Sequence, residues 1–146
     1  MNAKAKPLKV EAYLFFDGRC EEAVEFYRRA AGAEVIMSMR YKDSPEPHPP
    51  GMVQPGSENK IMHASFKIGE TRVMAADDCG PGAHKPKFDG FSLTITTPDE
   101  ATAKKLFNAL ADGGKVRMPL TKTFYSPSFG MLTDRFGVGW MIMVGD

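Results

Sequence analysis

Residues 23–35, Ala23-Val24-Glu25-Phe26-Tyr27-Arg28-Arg29-Ala30-Ala31-Gly32-Ala33-Glu34-Val35, are echoed by residues 103–116, Ala103-Lys104-Lys105-Leu106-Phe107-Asn108-Ala109-Leu110-Ala111-Asp112-Gly113-Gly114-Lys115-Val116. In the first, Ala23, Phe26, Tyr27 and Ala30 form a helical stripe, with Glu21, Glu22, Glu25, Arg28 and Arg29 mostly outside it. Gly32 stops the helix by accepting a positive φ. In the second, Ala103, Leu106, Phe107 and Leu110 make the same stripe. Phe26-Tyr27 and Leu106-Phe107 are 80 positions apart, and Gly32-x-x-Val35 and Gly113-x-x-Val116 are 81 apart. The one-residue slip falls at the helix end, where a loop absorbs an insertion cheaply. Each helix follows an apolar strand and precedes three more strand-like runs. The chain therefore reads as a duplicated strand-helix-strand-strand-strand unit.

Working outward, Val10 to Phe16 reads as the first strand, ended by Asp17-Gly18. Residues 20–31 are the helix and Glu34 to Lys42 the second strand. Asp43 to Asn59 carries Pro45, Pro47, Pro49, Pro50 and Pro55, which remove the donors a ladder needs. Such a long excursion suits a lid over a pocket or an arm onto a partner. Ile61 to Ile68 and Thr71 to Ala76 then form a hairpin around Gly69-Glu70. Pairing Ile68 with Thr71 puts Met62, Ala64, Phe66, Ile68, Val73 and Ala75 on one face, which should lie under a helix. The other face holds His63, Ser65, Lys67, Arg72, Met74 and Ala76 and should be wetter.

Residues 78–89 link the halves. The second unit opens with a strand at Phe91 to Thr96. Thr97-Pro98-Asp99-Glu100 predicts a helix start, with Thr97 as N-cap, Pro98 at the first helical position and Glu100 at N3. Strands at Lys115–Phe124, Phe129–Thr133 and Trp140–Val144 complete it, with Asp134-Arg135-Phe136-Gly137 as the last turn.

The 146 residues are enough for one sizeable core. We expect a single domain over 1–146, with module one at about 8–78 and module two at about 89–146. Lys+Arg 19 against Asp+Glu 18 gives no footprint for nucleic acid and no polybasic membrane patch. No apolar run approaches the length that spans a bilayer. The lysines among the first residues are not followed by an apolar stretch of signal-peptide type. Two cysteines, Cys20 and Cys79, demand no bridge, so a cytoplasmic protein is expected. Ten Met and ten Phe point to an apolar, adaptable interior or pocket.

Several stretches resemble the signatures of the PhnB-like proteins: Phe15-Phe16-Asp17-Gly18-Arg19-Cys20-Glu21-Glu22-Ala23-Val24-Glu25-Phe26-Tyr27; Ile61-Met62-His63-Ala64 through Lys67-Ile68-Gly69; Asp77-Asp78; and Phe129-Gly130 through Asp134-Arg135-Phe136-Gly137-Val138-Gly139-Trp140. That family belongs to the vicinal-oxygen-chelate superfamily, with glyoxalase I, extradiol dioxygenases and the bleomycin and fosfomycin resistance proteins. The resemblance implies an α+β fold of two βαβββ modules, whose mixed sheets curl around a cleft with helices on the outside. It also implies a homodimer and a small-molecule ligand in the cleft.

The superfamily's chemistry usually rests on a divalent metal held by His, Gln or Glu from the first and last strands of each module. This chain departs from that pattern. Thr71–Ala76 and Gly139–Val144 contain no carboxylate, and Gly90–Thr96 contains no His. Glu11 is the one residue of module one at a first-strand ligand position. The four-ligand set is absent, so no metal ligand is assigned and the cofactor stays open, a divalent metal being one possibility. The family is also labelled a demethylubiquinone methyltransferase. No Gly-rich turn joins a strand to a helix as nucleotide-type cofactors require, which argues against that label.

His63, on the mixed face, is the best candidate for chemistry, because neutral imidazole serves as ligand or base near neutral pH. Asp78 (with Asp77) ends the neighbouring strand and makes a His–carboxylate pair reasonable; the structural alternative is a half-buried His hydrogen-bonded to that acid. Tyr13, Phe15, Ser65, Met74 and Trp140 are the candidate substrate contacts, with Phe124 and Tyr125 as further aromatics that could floor a pocket or simply be core. His48 and His84 could join His63 at a zinc site, though solvated loop histidines are the plainer reading. Cys79 follows two aspartates and Cys20 reads as a small buried residue, so neither is a reactive thiolate. Arg40, Lys67, Arg72 and Arg117 are strand cations that would suit an anionic substrate if they faced the cleft. Two functions follow: a non-catalytic binder of a small molecule without the usual metal, or a metal-dependent lyase, isomerase or dioxygenase using His63 with a nearby carboxylate.

Overall fold

The computed structural model describes residues 6–48, 53–78 and 87–145. Cys79, His84 and most of the 78–89 link lie outside the described residues. Module one contains β1 (Tyr13–Phe16), α1 (Cys20–Ala31), β2 (Glu34–Arg40), β3 (Ile61–Ile68) and β4 (Thr71–Asp77). Module two contains β5 (Leu93–Thr97), α2 (Glu100–Ala111), β6 (Lys115–Thr121), β7 (Phe129–Thr133) and β8 (Gly139–Val144). The sheets run β1-β4-β3-β2 and β5-β8-β7-β6, the same order twice. In each, the first strand lies parallel to the last while the other pairs are antiparallel. The α+β fold and its two mixed sheets are as the sequence led us to expect; the helices, expected on the outside, instead pack on each other between the two sheets.

Local rules place most boundaries. Gly32 follows α1 in the left-handed region at φ 67°, and its neighbour Ala33 donates to the Tyr27 carbonyl. The β3–β4 hairpin pairs Ile68 with Thr71, so Ala64, Phe66, Val73 and Ala75 are buried under α1. Several strand ends differ: β2 stops at Arg40 rather than Lys42, β5 covers Leu93–Thr97 rather than Phe91–Thr96, β6 stops at Thr121 rather than Phe124, and two further boundaries have a clear cause. β1 begins at Tyr13 rather than Val10, because its ladder with β4 starts at Tyr13↔Met74 and Val10 is exposed. The N-cap of α2 is Asp99, whose carboxylate accepts from the Thr102 amide at 2.7 Å. Thr97 instead ends β5 opposite Val144, and its hydroxyl donates to the Asp99 carbonyl.

One apolar core serves both modules. Each helix covers one face of its own sheet, and α1 also packs on α2. Tyr27 stands at the centre, its ring 5.9 Å from Phe66 and 5.5 Å from Trp140. Asp134 closes this junction. Its carboxylate, 3 % exposed, accepts from Tyr27 Oη at 2.6 Å, Trp140 Nε1 at 2.9 Å and the amides of Phe136 and Val138. Burial, helped by the Asp134 charge, pushes the Tyr27 phenol well above its usual pKa. A buried carboxylate with four donors is stable only while all four stay in place.

Candidate functional site

The faces turned away from the helices are the chemically distinctive ones. On sheet one the ladder aligns Tyr13, Met74, Ser65 and Met37 in a row across β1, β4, β3 and β2. Phe15 pairs with Ala76, and His63 with Met39, one step along. A bulge at Ile36 makes this possible: the register shifts between Val35 and Met37 and turns Met37 and Met39 to the side of Ser65 and His63. Module two repeats the device 81 positions later, with a shift between Val116 and Met118 at Arg117. Its open face aligns Thr94, Met141, Met131 and Met118, with Thr96, Met143, Phe129 and Thr121 beside them. Seven of the ten methionines thus lie on the two open faces: Met37, Met39, Met74, Met118, Met131, Met141 and Met143.

His63 hydrogen-bonds through Nδ1 to the Tyr13 phenol at 2.9 Å. Tyr13 in turn stacks on Phe15, centroids 4.9 Å apart at 24°. Tyr13 and Phe15 are 37% and 48% exposed. Burial raises the Tyr13 pKa, so it stays a neutral phenol at physiological pH. The open face therefore offers an aromatic pair, thioethers, one imidazole and two hydroxyls.

The structure gathers His63, Tyr13, Phe15, Ser65 and Met74 as the sequence proposed. It does not bring Trp140 to them: that ring is 2% exposed, on the helix side, tied to Asp134. Asp78 lies just past the end of β4, exposed, with its amide on the Phe16 carbonyl. Asp77 does structural work instead, accepting from the Cys20 amide at 2.9 Å and the Ile61 amide at 3.0 Å. The described start of the segment after β2 is tied back to its own chain. Tyr41 Oη donates to the Asp77 carbonyl, and His48 Nε2 donates to the Tyr41 carbonyl.

Two of the four strand cations are engaged elsewhere. Arg40 pairs with Glu21 and the Asn59 carbonyl. Arg72 forms a fork with Glu11, and this guanidinium holds the Glu11 carboxyl below its usual pKa. Lys67 stands opposite Arg72 at the far end of the sheet, and Arg117 occupies the β6 bulge, exposed. Phe124 and Tyr125 belong to the loop after β6, neither of them buried.

The divalent metal that the resemblance implies does not fit these residues. Among the described residues no three of His, Cys, Asp and Glu come together. Glu11 is occupied by Arg72, and Met74 and Met141 stand on the closing strands, where a hard cation would need oxygen. Among the described residues His63 is the single imidazole on the open face. Nor do the helix N-termini invite an anionic cofactor, since Asp77 and Asp99 already cap them.

Among the described residues, three concavities of the single chain lie away from His63. One, of about 350 Å³, sits under the excursion beside Tyr41 and His48. Another, of about 690 Å³, runs between the modules over Val73, Leu93 and Trp140. Among the described residues no helix is long and apolar enough to cross a membrane.

Comparison with known proteins agrees with this architecture. The family model described as 3-demethylubiquinone-9 3-methyltransferase matches residues 8–143. Protein YjdN of Escherichia coli is 34% identical over 144 residues, covering 94% of this chain and 95% of its own. Protein PA1353 from Pseudomonas aeruginosa superposes with a TM-score of 0.83 at 40% identity, over 95% of this chain and 98% of that one. The PhnB protein from Bacillus cereus gives 0.75 at 28% identity, over 94% and 100%. A glyoxylase/bleomycin resistance protein/dioxygenase domain from Frankia sp. EAN1pec, 10% identical over 97% and 100% with a TM-score of 0.64, shares the fold alone.

Proposed function

We propose a binding role for this chain, which belongs to the 3-demethylubiquinone-9 3-methyltransferase (PhnB-like) family of the vicinal-oxygen-chelate superfamily. The ligand is a small, uncharged, flat molecule with one or two oxygens, held on the open face of module one. The observation that carries this reading is the exposed Tyr13–Phe15 stack, hydrogen-bonded through Tyr13 to His63. Stacked aromatic rings accept a further flat ring at low entropic cost, and thioethers adapt to its outline. The Tyr13–His63 pair and Ser65 supply directional contacts for an oxygen. No charged residue stands in the rows through Tyr13 and Phe15, so a charged ligand would lose hydration without compensation.

Small-molecule sites bury about 70–90% of their ligand, and an open sheet face cannot. A second copy of the chain is the natural closure, because the duplication gives every chain two open faces that a twofold can pair. Methyl transfer finds less support, since the sheets are not the parallel, doubly wound kind and neither helix N-terminus is free.

Calorimetric titration with 2-naphthol and with naphthalene-2-sulfonate tests this. The neutral naphthol should bind and the sulfonate should bind at least tenfold more weakly; Phe15→Ser should abolish the naphthol signal. Equal binding of both, or naphthol binding unaffected by Phe15→Ser, would overturn the assignment.

A further inference from the structure

The open face of sheet two carries a donor set that the ligand site on sheet one leaves unused. Met118 on β6, Met131 on β7 and Met141 on β8 are directly paired, side by side across neighbouring strands. The register shift at Arg117 brings Met118 into that row; in a plain strand its side chain would point to the helix side. On β7 and β8 the two faces differ sharply in their sulfur. Against α2 these strands place Leu132, Trp140, Ile142 and Val144, with no methionine among them. Leu or Val would make the open face just as apolar, so the thioethers there add donors and not only hydrophobicity. Met118, Met131 and Met141 are all half-buried, which leaves the row a partly dry shelf with solvent on one side.

Thioethers are soft, uncharged donors that select Cu(I), whereas Mg²⁺, Ca²⁺ and Mn²⁺ need oxygen. Adjacent strands stand about 4.8 Å apart, so an ion above Met131 is within reach of both neighbours. The rotatable bonds of methionine let the outer pair lean inward over the middle one. The row ends at Thr94, and the next row holds Thr96, Met143, Phe129 and Thr121, so neither contains a carboxylate. The charges closest in register are both cations: Arg117 at the bulge, and Lys115 opposite Thr133, each exposed. They repel a divalent ion twice as strongly as a monovalent one. A divalent ion would also lose more hydration there, with no anionic donor to replace it. We propose that Met118, Met131 and Met141 form a three-thioether site for a soft monovalent cation, Cu(I), centred on β7.

Silver(I), of the same charge and softness and stable in water, is the first probe. It is titrated in chloride-free buffer into full-length protein with ¹³C-methyl methionines and Cys79→Ser, which removes a competing thiol; Cys20 is buried. The expected result is saturation at one equivalent, with the methyl signals of Met118, Met131 and Met141 moving together. Cu(I), added anaerobically as its acetonitrile complex, should give the same pattern. Met131→Leu nearly conserves volume and should weaken Ag(I) binding about tenfold or more. Met118→Leu, on the edge strand, should do the same and serves if the central variant does not fold. Met143→Leu, one step along the face, should change the affinity less than about twofold. No saturable Ag(I) binding, shifts centred on Met37, Met39 and Met74, or an affinity unchanged in both Met131→Leu and Met118→Leu would overturn the site. So would Zn²⁺ bound as tightly as Ag(I), or an equal loss in Met143→Leu, which would show a diffuse sulfur surface. Ag(I) bound at the row without Cu(I) would overturn the assignment of the ion.

Discussion

Tyr27 Oη and Asp134 Oδ2 lie 2.6 Å apart although 107 residues separate them in the chain. That bond joins the helix of the first module to the last turn of the second, beneath the ring of Trp140. It makes the two halves one folding unit rather than two tethered ones. Removing the hydroxyl in Tyr27→Phe leaves Asp134 with three donors and should cost about 1–2 kcal/mol. Asp134→Ala strands both the phenol and the indole N–H in the core and should cost clearly more, about 2–5 kcal/mol. Urea midpoints rank the two. A Tyr27→Phe loss equal to that of Asp134→Ala would show that packing, not the carboxylate, holds the junction.

Burial first, then the charges of Asp77 and Glu21, pushes the Cys20 thiol far above its usual pKa. An unfolded thiol titrates near ~8.5. Below that pH both states keep the proton and the group adds no slope. Above it the unfolded chain releases its proton first, so stability falls as pH rises, by up to ~1.4 kcal/mol per unit. Urea unfolding at pH 7.5, 8.5 and 9.5 should show this decline, and Cys20→Ala should flatten it. An identical slope in the two proteins would refute the assignment.

Gly130 of β7 sits close against Phe107 of α2. A Cβ there would lie 2.7 Å from Phe107 Cε2 and 3.1 Å from the Leu120 amide nitrogen. Gly130→Ala should therefore cost about 1–3 kcal/mol. The penalty should shrink when Phe107→Leu removes the ring edge, a coupling that a double-mutant cycle reads directly.

The donor set on the open faces disfavours a hard cation. Excess Mn²⁺ or Ni²⁺ should leave the thermal midpoint within experimental error. A shift that saturates at one equivalent and vanishes in His63→Ala would show a metal site built on that imidazole.

The sequence made the helices, the hairpin register and the duplication legible because each has a local cause: a 3.6-residue stripe, a glycine in the left-handed region, a two-residue turn. Trp140 was misplaced because β8, Gly-Trp-Met-Ile-Met-Val, is apolar on both faces, so alternation could not say which side met the helix. The methionine rows were hidden for a related reason. They depend on bulges at Ile36 and Arg117, and a bulge inverts the parity that a plain strand would predict. His63 was found on its face, but its Tyr13 partner lies 50 residues away on a strand that reaches it only through the fold. Phe124 gave a weaker signal still, since nothing local distinguishes a core phenylalanine from one held in water.

The most direct test of the account is a methyl NMR titration of the protein with ¹³C-methionine labels, using 2-naphthol. Binding on the open face of module one should give saturable shifts at Met37, Met39 and Met74, with Met62 unmoved. Shifts confined to Met62, or no saturable shift at the open-face methionines, would contradict it.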